Sequence, residues 1–148
     1  SGGKNIAPLV IEETMKSIPM VSQCMLIGDG RKYCSALFTL DVGAILRDKH
    51  GMAPEKIPKD PTVQITTLEG FGKKLSDYTD SEEIHNEMLK SVNELNDRFS
   101  NPEQIKKFKI LPRDLNVDFG ELTPTLKIRR IQIRENWAAE IEAMYEGA

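Results

Sequence analysis

Two neighbouring apolar runs constrain the fold of this chain more than any other feature of its sequence. They span residues 21–27 and 33–40, and the five residues GDGRK separate them. Each run has the length of a strand, and glycines at positions 28 and 30 give the connection the backbone freedom that a tight turn needs. The two runs are therefore predicted to form a β-hairpin. The nearly continuous apolar segment CMLI indicates that the first strand is buried on both faces.

Helical patterns lie on both sides of this hairpin. Pro8 suits the first position of a short helix, which Pro19 ends. The predicted buried face of this helix consists of Leu9, Ile11, Met15 and Ile18. Ser81 is a capping residue type and is followed by two glutamates that complement a helix dipole, so a longer helix is predicted to begin there. It ends before an Asn-Pro pair at 101–102, and its apolar stripe consists of Ile84, Met88, Val92, Leu95 and Phe99.

A strand, a turn and a last helix follow. The segment IKKFKIL, residues 105–111, alternates like a strand, with lysines on the face opposite to Phe108 and Ile110. The segment VDFGELTPT is predicted to be extended and to end in a turn. A helix over residues 128–145 comes next. Its predicted buried residues are Ile133, Trp137, Ile141 and Met144.

The pattern of elements predicts the fold class. Residues 42–80 are loosely patterned and are interpreted as an insertion, with short helices over 42–50 and 67–76. At 148 residues the chain is long enough to bury one core, so we expect a single domain over residues 1–148. Helices that pack on a small sheet, which includes the hairpin, make this an α+β fold.

Charge and cysteine content narrow the classes of function. The net charge of −3 gives no general basic field, so nucleic-acid binding is not indicated. Residues 101–134 nevertheless carry eight basic against four acidic side chains. This local positive charge suits either an anionic ligand or an ordinary solvated face. Cys24 and Cys34 lie in apolar runs and form no metal-binding pattern, so we expect buried thiols, no metal site and a reducing compartment.

Lys127 is the residue in this sequence best suited to a catalytic or anion-binding role. Pro124 stiffens the preceding turn and Thr125 can cap the following helix, which predicts a lysine near a helix N-terminus, where backbone amides favour anions. A lysine there opposes the helix dipole, so helix stability does not explain it. A solvated surface lysine is the alternative interpretation. His50 and His85 are isolated, and a phosphate-binding glycine loop is missing, so the chain contains no complete active site of its own.

Three segments carry a resemblance to a known family. GGKNIAPLVIEE, CMLIGDGRKYCSALFTLD and LTPTLKIRR occur in this order and resemble the C-terminal domain of adenylate-forming enzymes, specifically long-chain fatty acyl-CoA synthetases of bubblegum type. The resemblance implies the mobile domain of a two-step ligase, in which ATP activates a fatty acid and coenzyme A then displaces AMP. Mg²⁺ accompanies the ATP. It also implies a cytoplasmic enzyme, whose fatty acid substrate is compatible with peripheral membrane association.

The resemblance also implies roles for individual residues. Lys127 matches the adenylation lysine, and Gly2, Gly3 and Lys4 match a loop beyond the hinge that lines the pantetheine tunnel of coenzyme A. Arg130 matches a basic position after the lysine and is assigned to cofactor binding and local structure. The ATP loop and the acyl pocket belong to the N-terminal adenylation domain, which is the implied partner. The isolated chain is therefore expected to be inactive.

Two other classes of function compete with this prediction. The chain could be a freestanding binding or regulatory α+β module that holds an anionic partner through residues 101–134. Such a module would show salt-sensitive binding. It could also be a purely structural interaction domain in which Lys127 has no ligand.

Overall fold

The computed structural model describes residues 6–57 and 75–147. In this part of the chain the helices and strands are α1 Pro8–Met15, β1 Val21–Ile27, β2 Cys34–Leu40, α2 Val42–His50, α3 Leu75–Thr79, α4 Glu82–Asn96, β3 Ile105–Ile110, α5 Arg130–Asn136 and α6 Ala138–Ala143. Single 3₁₀ turns lie at Pro54–Lys56, Asn101–Glu103 and Val117–Phe119. The predicted α+β class is confirmed. None of the helices described is both long and apolar enough to cross a membrane.

The three strands form one mixed sheet with β2 in the centre. β1 pairs with β2 antiparallel, which confirms the predicted hairpin, and β3 pairs with β2 in parallel. All seven residues of β2 are buried, because both faces of the sheet are covered. Cys24, Met25, Leu26 and Ile27 are buried too, as the apolar CMLI segment predicts. Gly30 in the connecting turn has a φ of 71°, a conformation that favours glycine.

Each face of the sheet supports its own hydrophobic core. Alternate strand residues point to opposite faces, so Phe38 lies in one core and Leu37 in the other. The first core is covered by α1, α2 and α4, and the second by α5 and α6. Cys24 and Cys34 belong to the first core, where burial raises the pKa of both thiols. The predicted buried thiols are therefore confirmed.

The structure confirms the predicted pattern of helix α4 and corrects the prediction for one residue of α1. Ser81 Oγ accepts a hydrogen bond from Ile84 N at 3.2 Å, so it caps α4 as predicted. Ile84, Met88 and Val92 are buried, and Leu95 and Phe99 pack against them from partly buried positions. In α1, however, Leu9 is 68% exposed, so its predicted burial was wrong. Glu12 is buried on the inward face of this short helix, and that face turns away from Leu9.

The predicted helix over 42–50 is confirmed and contributes to the core. Asp41 caps it by accepting a hydrogen bond from Ala44 N at 3.1 Å, and Gly51 ends it in a left-handed conformation. Its buried residues are Val42, Ala44, Ile45 and Leu46. Most of the predicted helix over 67–76 lies outside the described residues. That residues 42–80 are an insertion stays a prediction.

Two predictions for the C-terminal part were wrong in detail. Val117–Phe119 form a 3₁₀ turn instead of an extended segment, because the Asn116 side chain accepts a hydrogen bond from Asp118 N at 2.7 Å. The last helix begins only at Arg130, and it is interrupted at Trp137, where φ is −117° and ψ is 26°. The indole N–H of this tryptophan is bonded outside the helix, to Glu121. The predicted buried residues Ile133, Trp137, Ile141 and Met144 are confirmed.

Asp114 joins the segment after β3 to the β1–β2 hairpin. Its carboxylate accepts hydrogen bonds from Ser22 Oγ at 2.6 Å, from Thr39 Oγ1 at 2.5 Å and from Leu115 N at 2.8 Å. Burial raises the pKa of Asp114, and these three hydrogen bonds offset only part of that effect. The ionised carboxylate is therefore less favourable in the folded chain than in the unfolded chain.

Asp114→Asn should make the stability of the chain less dependent on pH. A carboxyl group with a raised folded-state pKa costs no stability below its unfolded pKa of about 4, and its cost grows as pH rises through the folded-state value. Asparagine lacks this titration, and the Ser22 hydroxyl can reverse its hydrogen bond to accept from the amide. Urea unfolding from pH 4 to pH 7 should show the wild type losing stability relative to the variant. Parallel stability curves would contradict this expectation.

Candidate functional site

The candidate site is a short loop between the 3₁₀ turn at Val117–Phe119 and α5. It is here called the lysine loop (residues 121–129). Leu122 and Ile128 pair across it in an isolated antiparallel bridge. Arg129 N donates to Glu121 O at 2.8 Å, and Thr123 N donates to Lys127 O at 2.8 Å. Backbone hydrogen bonds thus join the two sides of the loop along their length.

A tight turn closes the lysine loop. Leu126 N donates to Thr123 O at 2.8 Å, with Pro124 and Thr125 between them, and proline at this position favours such a turn. Thr123 Oγ1 also accepts a hydrogen bond from Lys127 N at 3.1 Å. Leu126 has a φ of 65°, which costs a residue other than glycine about 1 kcal/mol. The surrounding hydrogen bonds hold this turn in one conformation.

Lys127 lies on the exposed end of this loop. Within the part of the chain that the structure describes, its ammonium group forms no salt bridge and no side-chain hydrogen bond. Lys127 lies three residues before the first residue of α5, and the predicted capping of this helix by Thr125 was wrong. α5 begins at Arg130 without a side-chain cap, and the bridge at Ile128 keeps the chain extended until then. Thr125 therefore contacts Thr123 instead of capping α5.

A buried carboxylate lies at the base of the lysine loop. The Glu121 side chain is 0% exposed and accepts hydrogen bonds from four residues. The donors are Arg113 Nη1 at 2.7 Å, Arg113 Nη2 at 2.9 Å, Trp137 Nε1 at 2.9 Å, Asn136 Nδ2 at 3.0 Å and Asn116 N at 3.1 Å. The Arg113 guanidinium also lies 4.1 Å from the centre of the Phe119 ring and 4.8 Å from the Trp137 ring. These aromatic contacts and the paired hydrogen bonds fix its orientation.

Electrostatics keep Glu121 ionised in spite of its burial. Burial alone raises the pKa of this carboxyl group, but the hydrogen bonds from Arg113, Asn136 and Asn116 and the charge of Arg113 outweigh it. The net result is a pKa of Glu121 below the ordinary value.

The preceding residue, Gly120, has a φ of 72°, and a Cβ there would lie 3.2 Å from Gln132 Cγ, so this position favours glycine.

A second buried carboxylate accounts for the position of Arg130. The Arg130 guanidinium donates to Glu12 Oε1 at 2.5 Å and to Glu12 Oε2 at 2.8 Å, and Glu12 Oε2 also accepts from Leu26 N at 2.7 Å. The pair joins α1, β1 and α5. Arg130 therefore has the local structural role that was expected, and its assignment to cofactor binding stays a prediction.

The other predicted binding residues, Gly2, Gly3 and Lys4, fall outside the described residues. In the hairpin turn, Arg31 pairs with Glu142 of α6 and lies 4.6 Å from the centre of the Tyr145 ring. Arg31 is therefore bonded to α6 and not to the lysine loop.

Glu12 and Glu121 were not predicted from the sequence. Each is a buried acid beside apolar residues, since Glu12 follows Ile11 in the inward stripe of α1 and Glu121 precedes buried Leu122. A charged residue within an apolar register was the one available signal, and it does not identify the partner. Arg130 is 118 residues from Glu12 along the chain.

Comparison with known proteins places the chain in a family. The family described as AMP-binding enzyme C-terminal domain matches residues 69–148, which include the whole lysine loop. The long-chain-fatty-acid–CoA ligase FadD15 of Mycobacterium tuberculosis is 33% identical over 145 residues, covering 98% of this chain and 22% of that protein. The long-chain-fatty-acid–CoA ligase ACSBG1 of Rattus norvegicus is 31% identical over 158 residues, covering 99% and 20%. The chain thus spans about a fifth of the length of these relatives.

Solved structures show the same fold. The A-PCP didomain of a carboxylic acid reductase from Segniliparus rugosus, in complex with AMP, matches with a TM-score of 0.66 at 19% identity, over 98% of this chain and 16% of that one. The A domain of that reductase, with AMP and a co-purified carboxylic acid, matches equally well over 19% of its length. At this identity the likeness concerns the fold alone. With the family match and the ligase relatives, it confirms the resemblance that the sequence motifs carried, and the chain belongs to the family of AMP-binding enzyme C-terminal domains.

Proposed function

We propose that this chain is the C-terminal domain of a long-chain fatty acid–CoA ligase and that Lys127 acts in the adenylation step. Support comes from relatives named as such ligases, which match nearly the whole chain. The observation that carries the role of Lys127 is its position, exposed and without an acidic partner among the described residues, on a loop fixed at its base. These comparisons do not support the alternative of a freestanding anion-binding module.

The proposed reaction has two steps. A carboxylate oxygen of the fatty acid attacks the α-phosphorus of ATP, and the bond from this phosphorus to the bridging oxygen breaks, so that pyrophosphate leaves. The coenzyme A thiolate then attacks the acyl carbonyl carbon, and the acyl–oxygen bond breaks with AMP as leaving group. Two anions must approach each other in the first step. An ammonium group between them offsets their repulsion and the charge that develops in the transition state.

The geometry of the lysine loop suits this role. A lysine that enters an active site in another domain must lie on a protruding segment, and its backbone must not collapse when the domain moves. The turn at residues 123–126 and the bridge at Leu122 meet these two requirements. The flexible side chain of Lys127 supplies a compact point charge at the end of this support.

Other components of the proposed reaction are assigned to the whole enzyme. Among the described residues there is no group of three or more His, Cys, Asp and Glu side chains that could hold a metal ion, so Mg²⁺ is proposed to bind with ATP in the adenylation domain. The proposed coenzyme A contacts in this chain are Gly2, Gly3, Lys4 and Arg130. The enzyme's own adenylation domain is the proposed partner, and a cytoplasmic location, with or without peripheral membrane contact, is proposed.

Activity assays on two proteins test this proposal. The 148-residue chain alone should form no acyl-CoA, whereas the longer enzyme in which it is joined to an adenylation domain should do so from ATP, coenzyme A and a long-chain fatty acid. Omitting the fatty acid should abolish pyrophosphate exchange into ATP, and acetate should not replace it. Acyl-CoA formation by the isolated chain, or a longer enzyme without fatty-acid-dependent exchange, would contradict the proposal.

A further inference from the structure

We propose that Glu121 is a positioning residue for Lys127 and that its buried carboxylate fixes the lysine loop to the C-terminal core in the orientation that adenylation needs. This inference rests on the proposed function of the chain. It concerns a residue that does not itself reach the reacting groups, since Glu121 is completely buried whereas Lys127 is exposed.

Glu121 connects the loop to the rest of the domain in two ways. Its backbone carbonyl accepts from Arg129 N at 2.8 Å and its backbone N–H donates to Asn116 O at 3.1 Å, so it holds both ends of the loop and the preceding turn. Its side chain is bonded to Arg113 before the loop and to Trp137 between α5 and α6. A single residue thus links the base of the loop to three other segments.

The arrangement of donors requires a carboxylate. Oε2 accepts from Arg113, Asn136 and Trp137, and Oε1 accepts from Arg113 and the backbone of Asn116. Glutamine has one oxygen, so its NH₂ group would face donors at one of these two positions. It would also leave the buried side of Arg113 without a countercharge. The loop base would have to shift to relieve these contacts.

A contribution to stability does not by itself explain this pair. Buried ion pairs stabilise folds little relative to apolar residues of similar size, because desolvation offsets their attraction. Their stronger effect is on geometry, since five directional hydrogen bonds allow one placement of the carboxylate. Placement matters for Lys127, because an error of about 1 Å in a catalytic group can cost about 10²-fold in rate.

Measuring the two half-reactions separately in the longer enzyme tests this proposal. Glu121→Gln should lower fatty-acid-dependent pyrophosphate exchange by about 10²-fold. It should leave thioester formation from synthetic acyl-adenylate and coenzyme A within about twofold, because Lys127 is not needed there. Trp137→Phe keeps an aromatic ring but removes one donor, so it should produce a smaller loss confined to the same step. Asp114→Asn is the matched control, since this buried carboxylate holds Ser22 and Thr39 and should leave both steps within about twofold.

The outcomes separate this proposal from the proposed function. Normal exchange in Glu121→Gln, with exchange abolished in Lys127→Ala, would overturn the positioning role and leave the proposed function intact. Equal losses in both half-reactions, for Glu121→Gln and Trp137→Phe alike, would show a purely structural role. If Lys127→Ala itself left exchange unchanged, the proposed function would fail first. If Glu121→Gln does not fold, Trp137→Phe tests the positioning role instead. A loss confined to pyrophosphate exchange supports this role, and an equal loss in both half-reactions contradicts it.

Discussion

Lys127→Ala, made in the proposed full-length ligase, should lower the rate of adenylation by about 10²- to 10³-fold, the usual effect of removing one transition-state donor. The alanine variant loses the ammonium group that the proposed function places between carboxylate and phosphate. The fold should not change, because the ammonium group has no partner among the described side chains. Fatty-acid-dependent pyrophosphate exchange measures this step directly.

Thioester formation, the second half-reaction, should respond differently to Lys127→Ala. Thioester formation from preformed acyl-adenylate does not require a cation between two anions, so Lys127→Ala should retain it within about twofold. Lys109→Ala is a matched control, since this lysine is also exposed, and it belongs to β3 and not to the lysine loop. It should leave both steps unchanged. Equal loss of both half-reactions in Lys127→Ala would instead indicate a role in folding.

Local periodicity was sufficient to predict most of the fold. The hairpin, α2, α4 and β3 follow from patterns contained within short segments, and each of these patterns agrees with burial in the structure. The single exposed residue in the predicted stripes, Leu9, shows the limit of this reasoning. Helix α1 is only eight residues long, and a long-range ion pair to Arg130 brings Glu12 inside. A pattern of apolar residues cannot reveal such a partner.

The candidate site was predictable only in its central residue. Lys127 could be found from the Thr-Pro-Thr turn and from the resemblance of its segment to a family. Its surroundings could not, because they depend on the bridge between Leu122 and Ile128 and on contacts from Glu121 to Arg113 and Trp137. The same contacts coincide with the break in the last helix at Trp137, where sequence periodicity alone predicted continuity.

Phe38→Ala should destabilise the 148-residue chain by about 3–5 kcal/mol, the usual cost of removing a buried phenylalanine ring. Phe38 is 0% exposed in the central strand, lies opposite Cys24 and Ile110, and packs edge-to-face on Phe108 with ring centres 5.5 Å apart. Neighbouring strands on both sides prevent the cavity from collapsing. Since domains of this size are stable by about 5–15 kcal/mol in total, urea unfolding should show a large decrease in the midpoint.

Leu9→Ala is the control that separates the loss of a core contact from the loss of an apolar side chain in general. Leu9 was predicted to be buried, and the structure exposes it, so its truncation should change the unfolding free energy by no more than about 0.5 kcal/mol. A cost comparable to that of Phe38→Ala would mean that Leu9 is covered in solution. A small cost for both would contradict the position of β2 between two cores.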